Sequence, residues 1–427
     1  MDTTIQQFDC LQSYKTIRSS SIALIENLSA EDCSLQASDF VSPAKWHLAH
    51  TSWFFETFLL LPNVKTYQPF HKDFQVLFNS YYNGIGEQFS RPKRHLLSRP
   101  SLEQVLEYRA YIDANMAELI RNSSSDLKAL IVLGLNHEQQ HQELLLMDLK
   151  YCFFQNPLYP SYYPSHQAKV TSSTESNFSQ NSHKHSYKIS PIQFVEFKEQ
   201  LTSIGVNHNS NAQQADFNFD NETPAHQVYL QNYKLADRLV TNGEYLQFIE
   251  EGGYNDASIW LSDGWSWIQQ RKKDNSENID NASSPLYWIK QNDQWYEFSL
   301  HGLQPLDLYA PVRHVNFYES QAYAQWSDCR LATEAEWEHA VKNNNENGIK
   351  QTQNEAWQWT QSAYQPYPGF IKPDGAVGEY NGKFMCNQMV LKGGCIFTPE
   401  NHTRTTYRNF FYPQDQWPMT GIRLAKS

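Results

Sequence analysis

Residues 126–149, DLKALIVLGLNHEQQHQELLLMDL, decide how the N-terminal third of the chain is read. Leu130, Leu133, His137, Gln140, His141 and Leu144 recur at the spacing that lines one side of an α-helix. Within that stripe His137-Glu138-Gln139-Gln140-His141 puts two imidazoles four residues apart, close enough on one face to chelate a single metal ion. Glu143 completes an H-x-x-x-H-x-E pattern. Glu138 follows the first histidine as in zinc proteases, where that carboxylate is the general base, but nothing else of that family is present. Taken alone, such a pair is as readily two packed histidines as a metal site.

The neighbouring segments shift that balance. Ser42-Pro43 reads as an N-cap followed by the first helical residue, with Trp46, His50, Trp53 and Thr57 along one face. Ser101-Leu102-Glu103-Gln104 is a capping-box pattern leading into Val105, Tyr108, Ile112 and Met116. With a further helix over Leu11 to Leu28 the count is four, and a four-helix bundle over residues 1–155 is the economical architecture. His50 lies on an aromatic stripe, where an unpaired imidazole needs a partner. Three histidines from two helices, His50, His137 and His141, can converge on one ion. His47, one turn before His50, reads as lying behind the ligands. Three neutral imidazoles leave about three open positions on an octahedral ion, the arrangement an O2-activating iron site needs; zinc or nickel would accept the same donors.

The rest of the chain differs in character. Ten of the twelve tryptophans follow residue 259, and 427 residues exceed what one core usually organises, so two domains are expected. Residues 156–190 read as a linker, its centre polar and serine-rich. Residues 191–427 break into short aromatic and β-branched runs, with only brief helical stretches such as Gly243 to Glu250 and Glu319 to Ser327. The stretches Gln270 to Ser284 and Asn343 to Asn354 read as solvated insertions. A net charge of -12 argues against nucleic acid and anionic membranes as partners and leaves small-molecule chemistry. The first ten residues lack a basic, apolar leader, no apolar run could span a bilayer, and six scattered cysteines form no C-x-x-C pair; a cytoplasmic protein with reduced thiols is expected.

Several motifs together carry a resemblance. Ser42-Pro43-x-x-Trp46-His47-Leu48-Ala49-His50-Thr51-x-Trp53-Phe54-Phe55-Glu56 and the 137–141 motif resemble the iron-binding segments of ergothioneine sulfoxide synthases, the hercynine oxygenases. Leu77 to Tyr82, Arg91-Pro92-x-Arg94 and Leu97 to Pro100 continue it. Asn387 to Gly394 and Thr405 to Phe411 resemble that family's second domain, which is similar to formylglycine-generating enzymes and which Phe219 to His226 and Arg330 to Glu338 also match. The implied fold is α+β: a DinB-like four-helix bundle followed by a C-type-lectin-like, sulfatase-modifying domain.

The resemblance implies an activity and roles. Fe(II) would be held by His50, His137 and His141, with O2 as co-substrate, and a C–S bond would form between the imidazole C2 of hercynine (trimethylhistidine) and a cysteine-type thiol, yielding a sulfoxide. A proton or hydrogen donor must steer the reaction away from simple thiol oxidation, and the Tyr81-Tyr82 pair suits that task, with Tyr380 in reserve. Gln140, Asn409, Phe410 and Phe411 would bind hercynine, whose quaternary ammonium calls for aromatic faces. Arg91 and Arg94 would bind the thiol substrate's carboxylate. Phe411 stands where users of γ-glutamylcysteine tend to carry an acidic residue, so free cysteine is the expected donor. Cys395, where serine is common after Gly-Gly, reads as a small packed residue, and Gln358 stands where Glu is common.

Competing readings are an ovothiol-type 5-histidylcysteine sulfoxide synthase, a selenoneine-forming relative, a metal-dependent thiol S-transferase and a non-catalytic lectin-like binding module. Ovothiol-type proteins usually add a methyltransferase, which does not occur within these residues.

Overall fold

A computed structural model describes residues 9–163, 189–207, 217–275, 279–344 and 348–427. The centre of the expected linker, residues 164–188, lies outside the described residues. The start of that linker is docked rather than free. Tyr162 is buried, its N–H donating to Leu300 O (2.9 Å) and its hydroxyl to Leu24 O (2.8 Å).

Four long helices form the N-terminal unit: α1 (Cys10–Ala23), α2 (Ala44–Phe55), α3 (Leu102–Arg121) and α4 (Ser125–Phe154). The box at α3 is complete, Ser101 Oγ accepting from Gln104 N (3.3 Å) and Gln104 Oε1 from Ser101 N (3.0 Å). α2 starts differently from its sequence expectation. Pro43 itself is the N-cap and no side chain caps the helix. Ser42 is engaged elsewhere, its N–H donating to Asp148 Oδ2 (2.7 Å) while its Oγ accepts from Arg94 (2.7 Å). At its far end α2 runs into a π-helical turn, Glu56–Leu60. Tyr67 and Tyr108 each donate to the Glu56 carboxylate at 2.6 Å, which anchors that turn.

The second unit is α+β. One sheet orders strands Phe194–Phe197, Tyr233–Ala236, Leu424–Lys426 and Arg330–Leu331. Another orders Asn409–Phe411, Met389–Lys392, Trp357–Ala363 and Thr420–Gly421. A hairpin and a three-stranded meander complete it. The two helices named from sequence are present as Asn242–Glu250 and Phe317–Trp326, and this unit also carries Ser262–Asp274, Ile279–Ala282 and Glu334–Lys342. The expected insertion from Gln270 therefore begins inside a helix and ends on a buried Ser284. Trp265 and Trp267 pack against the core from that helix, Lys272 reaches back to donate to Tyr254 O (2.7 Å), and Lys273 is exposed.

α4 joins the two units. Its central residues are buried almost without interruption, so the helix has core on both sides. Gly134 sets how closely α2 approaches: a Cβ there would come 2.7 Å from Phe55 Cε1. Toward α1 and α3, Glu138 accepts from Arg18 (3.0 Å), Ser21 (2.6 Å) and Arg109. These guanidiniums and the hydroxyl hold its carboxylate below the ordinary range despite full burial, and they point it away from the histidines. A protease-like base is thereby ruled out at this position. One continuous apolar cluster extends from the bundle into the second unit, with a smaller cluster beneath Phe197 and Trp337.

Removing one partner of a buried charge network leaves the others unpaired. Glu138→Ala is expected to destabilise the protein by about 3–5 kcal/mol in denaturant unfolding. A loss below about 1 kcal/mol would show that Arg18 and Arg109 find other acceptors.

Candidate metal centre

α2 and α4 bring His50, His137 and His141 together. One ligand atom from each lies within 4.8 Å of the other two. Ring centroids are 5.0 Å apart for His50 and His137, 4.7 Å for His50 and His141, and 4.6 Å for His137 and His141.

His50 is stacked between Trp46 (4.7 Å) and Trp53 (5.5 Å), and its Nδ1–H donates to Phe78 O (2.6 Å), leaving the Nε2 lone pair inward. A chain of hydrogen bonds does the same for His141. Asp148 Oδ2 accepts from His47 Nε2 (3.1 Å), and His47 Nδ1 lies 2.8 Å from His141 Nδ1. Where His141 donates from Nδ1 to His47 Nδ1, its own Nε2 is free. Burial pushes His50 and His141 well below the ordinary imidazole range, and His137 down to about 3. His50 Nε2 and both nitrogens of His137 are buried with no hydrogen-bond partner. Buried polar atoms are rarely left so, and a cation bound by three neutral imidazoles meets what these atoms lack. The donor set fits a divalent transition metal.

The histidines form one end of a cavity of about 470 Å³ between the two units. Among the residues singled out from sequence, Tyr81, Arg91, Arg94, His137, Gln140, His141, Asn409, Phe410 and Phe411 line it, while His50 and Tyr82 lie behind the lining. Tyr82 is fully buried, stacked on Tyr81 (4.6 Å) and packed on Trp53 (5.5 Å). Tyr380 also lines the cavity, its ring 5.6 Å from His137. Burial raises all three phenols above the ordinary range, so each is protonated. Gln140 donates to Tyr407 Oη (2.7 Å) and accepts from the Tyr380 hydroxyl. Arg94 stacks over Trp46 at 3.3 Å, and Arg91 donates to Phe40 O. Phe410 stacks on Tyr364 (4.1 Å), and Phe411 meets Trp417 edge-on (5.6 Å).

Other residues of the site were not anticipated. Asp148 follows His141 by seven residues, a same-face interval that could have announced it, but its link to His47 depends on how α2 crosses α4. Asp415 lines the cavity near Arg91, burial pushing its carboxyl up to about 6. Glu143, grouped with the histidines by spacing, turns instead to the second unit and accepts from Trp357 Nε1 (2.6 Å) and Thr398 Oγ1 (2.5 Å). Cys395 is fully buried beside Thr398, as expected of a packed residue, and Gln358 accepts from Trp337 Nε1 and Arg423 Nε, both at 2.7 Å. No described helix is long and apolar enough to cross a membrane.

Comparison with known proteins matches this architecture. Residues 193–344 and 340–427 match the sulfatase-modifying factor enzyme 1-like domain, and residues 13–145 match the DinB superfamily. The chain is similar to hercynine oxygenase of Mycobacterium tuberculosis, 27% identical over 247 residues that make up 48% of this chain and 55% of that protein. It is also similar to ergothioneine biosynthesis protein 1 of Schizosaccharomyces pombe (24% over 267 residues, 53% of this chain and 31% of that one). The formylglycine-generating enzyme of Streptomyces coelicolor is 29% identical over 132 residues, 29% of this chain and 40% of that one. The matches span about half the length of the hercynine oxygenases. With more than half of its residues matched by one family, the chain belongs to the sulfatase-modifying factor enzyme 1-like domain family.

Proposed function

We propose that the protein is a non-haem Fe(II)- and O2-dependent sulfoxide synthase that joins the imidazole C2 of hercynine to the sulfur of cysteine, giving hercynylcysteine sulfoxide. The observation that carries this reading is the cluster of three neutral histidines opening into a cavity lined by both units. In the overall reaction the imidazole C–H and thiol S–H bonds are broken and a C–S bond forms. One atom of O2 ends on sulfur, and the other leaves as water.

A ferrous ion held by His50, His137 and His141 would supply the redox chemistry and the open positions where both substrates and O2 meet. The chain's own residues do the rest. Arg91 and Arg94 receive the cysteine carboxylate with a forked set of donors. Phe410, Phe411 and Asn409 receive hercynine, the rings facing its quaternary ammonium, while Gln140 orients it from the histidine helix. Phe411, packed on Trp417, offers no carboxylate for a γ-glutamyl group, which favours free cysteine. Tyr81 holds a phenolic proton at its Oη on the cavity wall, with Tyr82 stacked behind it; both are kept protonated by burial. A proton delivered there steers oxygen chemistry toward sulfoxidation coupled to C–S bond formation.

Three measurements test this. Equilibrium dialysis against Fe(II) or Co(II) should give one ion per chain, lost in His50→Ala, His137→Ala and His141→Ala and weakened about 10–100-fold in Asp148→Asn, whose carboxylate acts through His47. In metal-free protein the unfolded chain takes up protons below about pH 6.5 that the buried rings refuse, His137 until about 3, so stability should fall as pH drops through that window. A denaturation midpoint flat between pH 6.5 and 4 would contradict the buried, neutral histidines. With hercynine, cysteine and O2, mass spectrometry should find the sulfoxide, and Tyr81→Phe or Tyr82→Phe should divert turnover toward cysteine sulfinate. Unchanged sulfoxide yield in both would move the proton donor to Tyr380.

A further inference from the structure

The loop that carries Tyr81 and Tyr82 belongs to the bundle, yet its position is fixed from the other unit. Between the short helices Phe74–Leu77 and Arg91–Leu96 it has no helix or strand of its own. Its backbone amides at Asn83 and Gly84 both donate to one carboxylate, Glu379 of the second unit, the first to Oε2 at 3.0 Å and the second to Oε1. Lys383, one turn after Glu379, pairs with that carboxylate at 2.8 Å and donates to the carbonyl oxygen of Tyr81. The same ammonium lies 5.0 Å from the Tyr81 ring, and Phe384 meets that ring edge-on at 5.1 Å. Gly84 makes the approach possible: a Cβ there would stand 2.9 Å from Glu379 Oε1. The neighbouring residue is Tyr380, whose hydroxyl donates to Gln140 and whose ring faces His137.

A short segment of the second unit, residues 379–384, thus contains one candidate proton donor, Tyr380, and holds a second, Tyr81. We infer that Glu379 and Lys383 are positioning residues that hold Tyr81 against the cavity, and so decide how much of the bound thiol is joined to the imidazole and how much is merely oxidised. This rests on the sulfoxide-synthase reading for the two products. In the joined product O2 delivers one oxygen to sulfur and one to water while the C–H and S–H bonds are broken. In the uncoupled reaction both oxygens of one O2 end on the cysteine sulfur as sulfinate, with no second substrate consumed. The coupled route alone needs a phenol at a fixed place, so displacing Tyr81 penalises it selectively. Neither Glu379 nor Lys383 lines the cavity, so their effect runs through the loop.

The test uses the full-length, iron-loaded protein with Glu379→Ala, Glu379→Gln and Gly84→Ala. Amide hydrogen exchange at Asn83 and Gly84 should accelerate about tenfold or more in Glu379→Ala, because both amides lose a charged acceptor, and less in Glu379→Gln, which keeps one acceptor oxygen. The sulfoxide-to-sulfinate ratio should fall in the same order, with iron content unchanged, and Gly84→Ala should behave like Glu379→Ala. Unchanged exchange in Glu379→Ala overturns the clamp, and so does an unchanged product ratio with released amides. A wild-type protein that forms no sulfoxide defeats the assigned reaction instead, and the clamp is then decided by the exchange rates alone.

Discussion

The rest of the structure depends on α4 having no solvent side through its central turns. A helix buried all round must assign each residue to a neighbour, because a polar side chain there without a partner costs far more than one at a surface. The assignments fall into three stripes. Glu138 and Gln142 face α1, where Arg18, Ser21 and the Ile17 carbonyl receive them. His137, His141 and Asp148 face α2. Gln140, Glu143, Met147 and Lys150, at steps of three and four, face the second unit through Tyr407, Trp357, Met419 and His314. Most polar groups are tolerated here because the surrounding elements satisfy them, whereas His50 Nε2 and both nitrogens of His137 are buried without a partner.

That arrangement explains how an ion could be bound with little reorganisation. Imidazoles that charge in solution near pH 6.5 would repel a cation below that pH and would have to lose protons first. Burial has already done this, at a cost spread over the aromatic stack around His50, the close α2–α4 contact at Gly134 and the directional chain from Asp148 through His47. The stack also aligns the rings. Arg94, Trp46, His50, Trp53, Tyr82 and Tyr81 lie in successive face or tilted contact, so a shift at one end is felt at the other.

Local signals made the bundle legible. Periodicity found α2, α3 and α4, and the Ser101 box marked the start of α3 within a residue. The same periodicity brought His50, His137 and His141 together, since helical spacing and an apolar stripe leave few other ways to house them. What failed were features whose partners lie far along the chain. Ser42 looked like a cap and is occupied by Arg94 and Asp148. Glu143 shares the histidines' spacing but points to Trp357, more than two hundred residues away. The lysine-rich end of Ser262–Asp274 suggested a solvated insertion, because composition reports the outer face of a helix and not the tryptophans beneath it. The tyrosine loop was visible as a loop, but the acidic and basic residues that hold it come from a segment with no pattern of its own.

The division of labour across the cavity follows from these geometries. Among the described residues the bundle contributes the three clustered histidines and the two arginines, while the second unit contributes Asn409, Phe410 and Phe411 and the residues that bind the Tyr81 loop. Neither unit therefore encloses the cavity alone, and for the proposed reaction the α4 stripe facing the second unit would be as necessary as the stripe carrying the histidines. Gln140 shows why. It sits one residue before His141, yet both ends of its amide are taken by Tyr380 and Tyr407. A ligand that engages Gln140 must displace or share those bonds, so its arrival at the histidine end is felt by the tyrosines of the other unit. In the proposed reaction, substrate recognition and the placement of proton donors would thereby be coupled through one side chain on the helix that both units share.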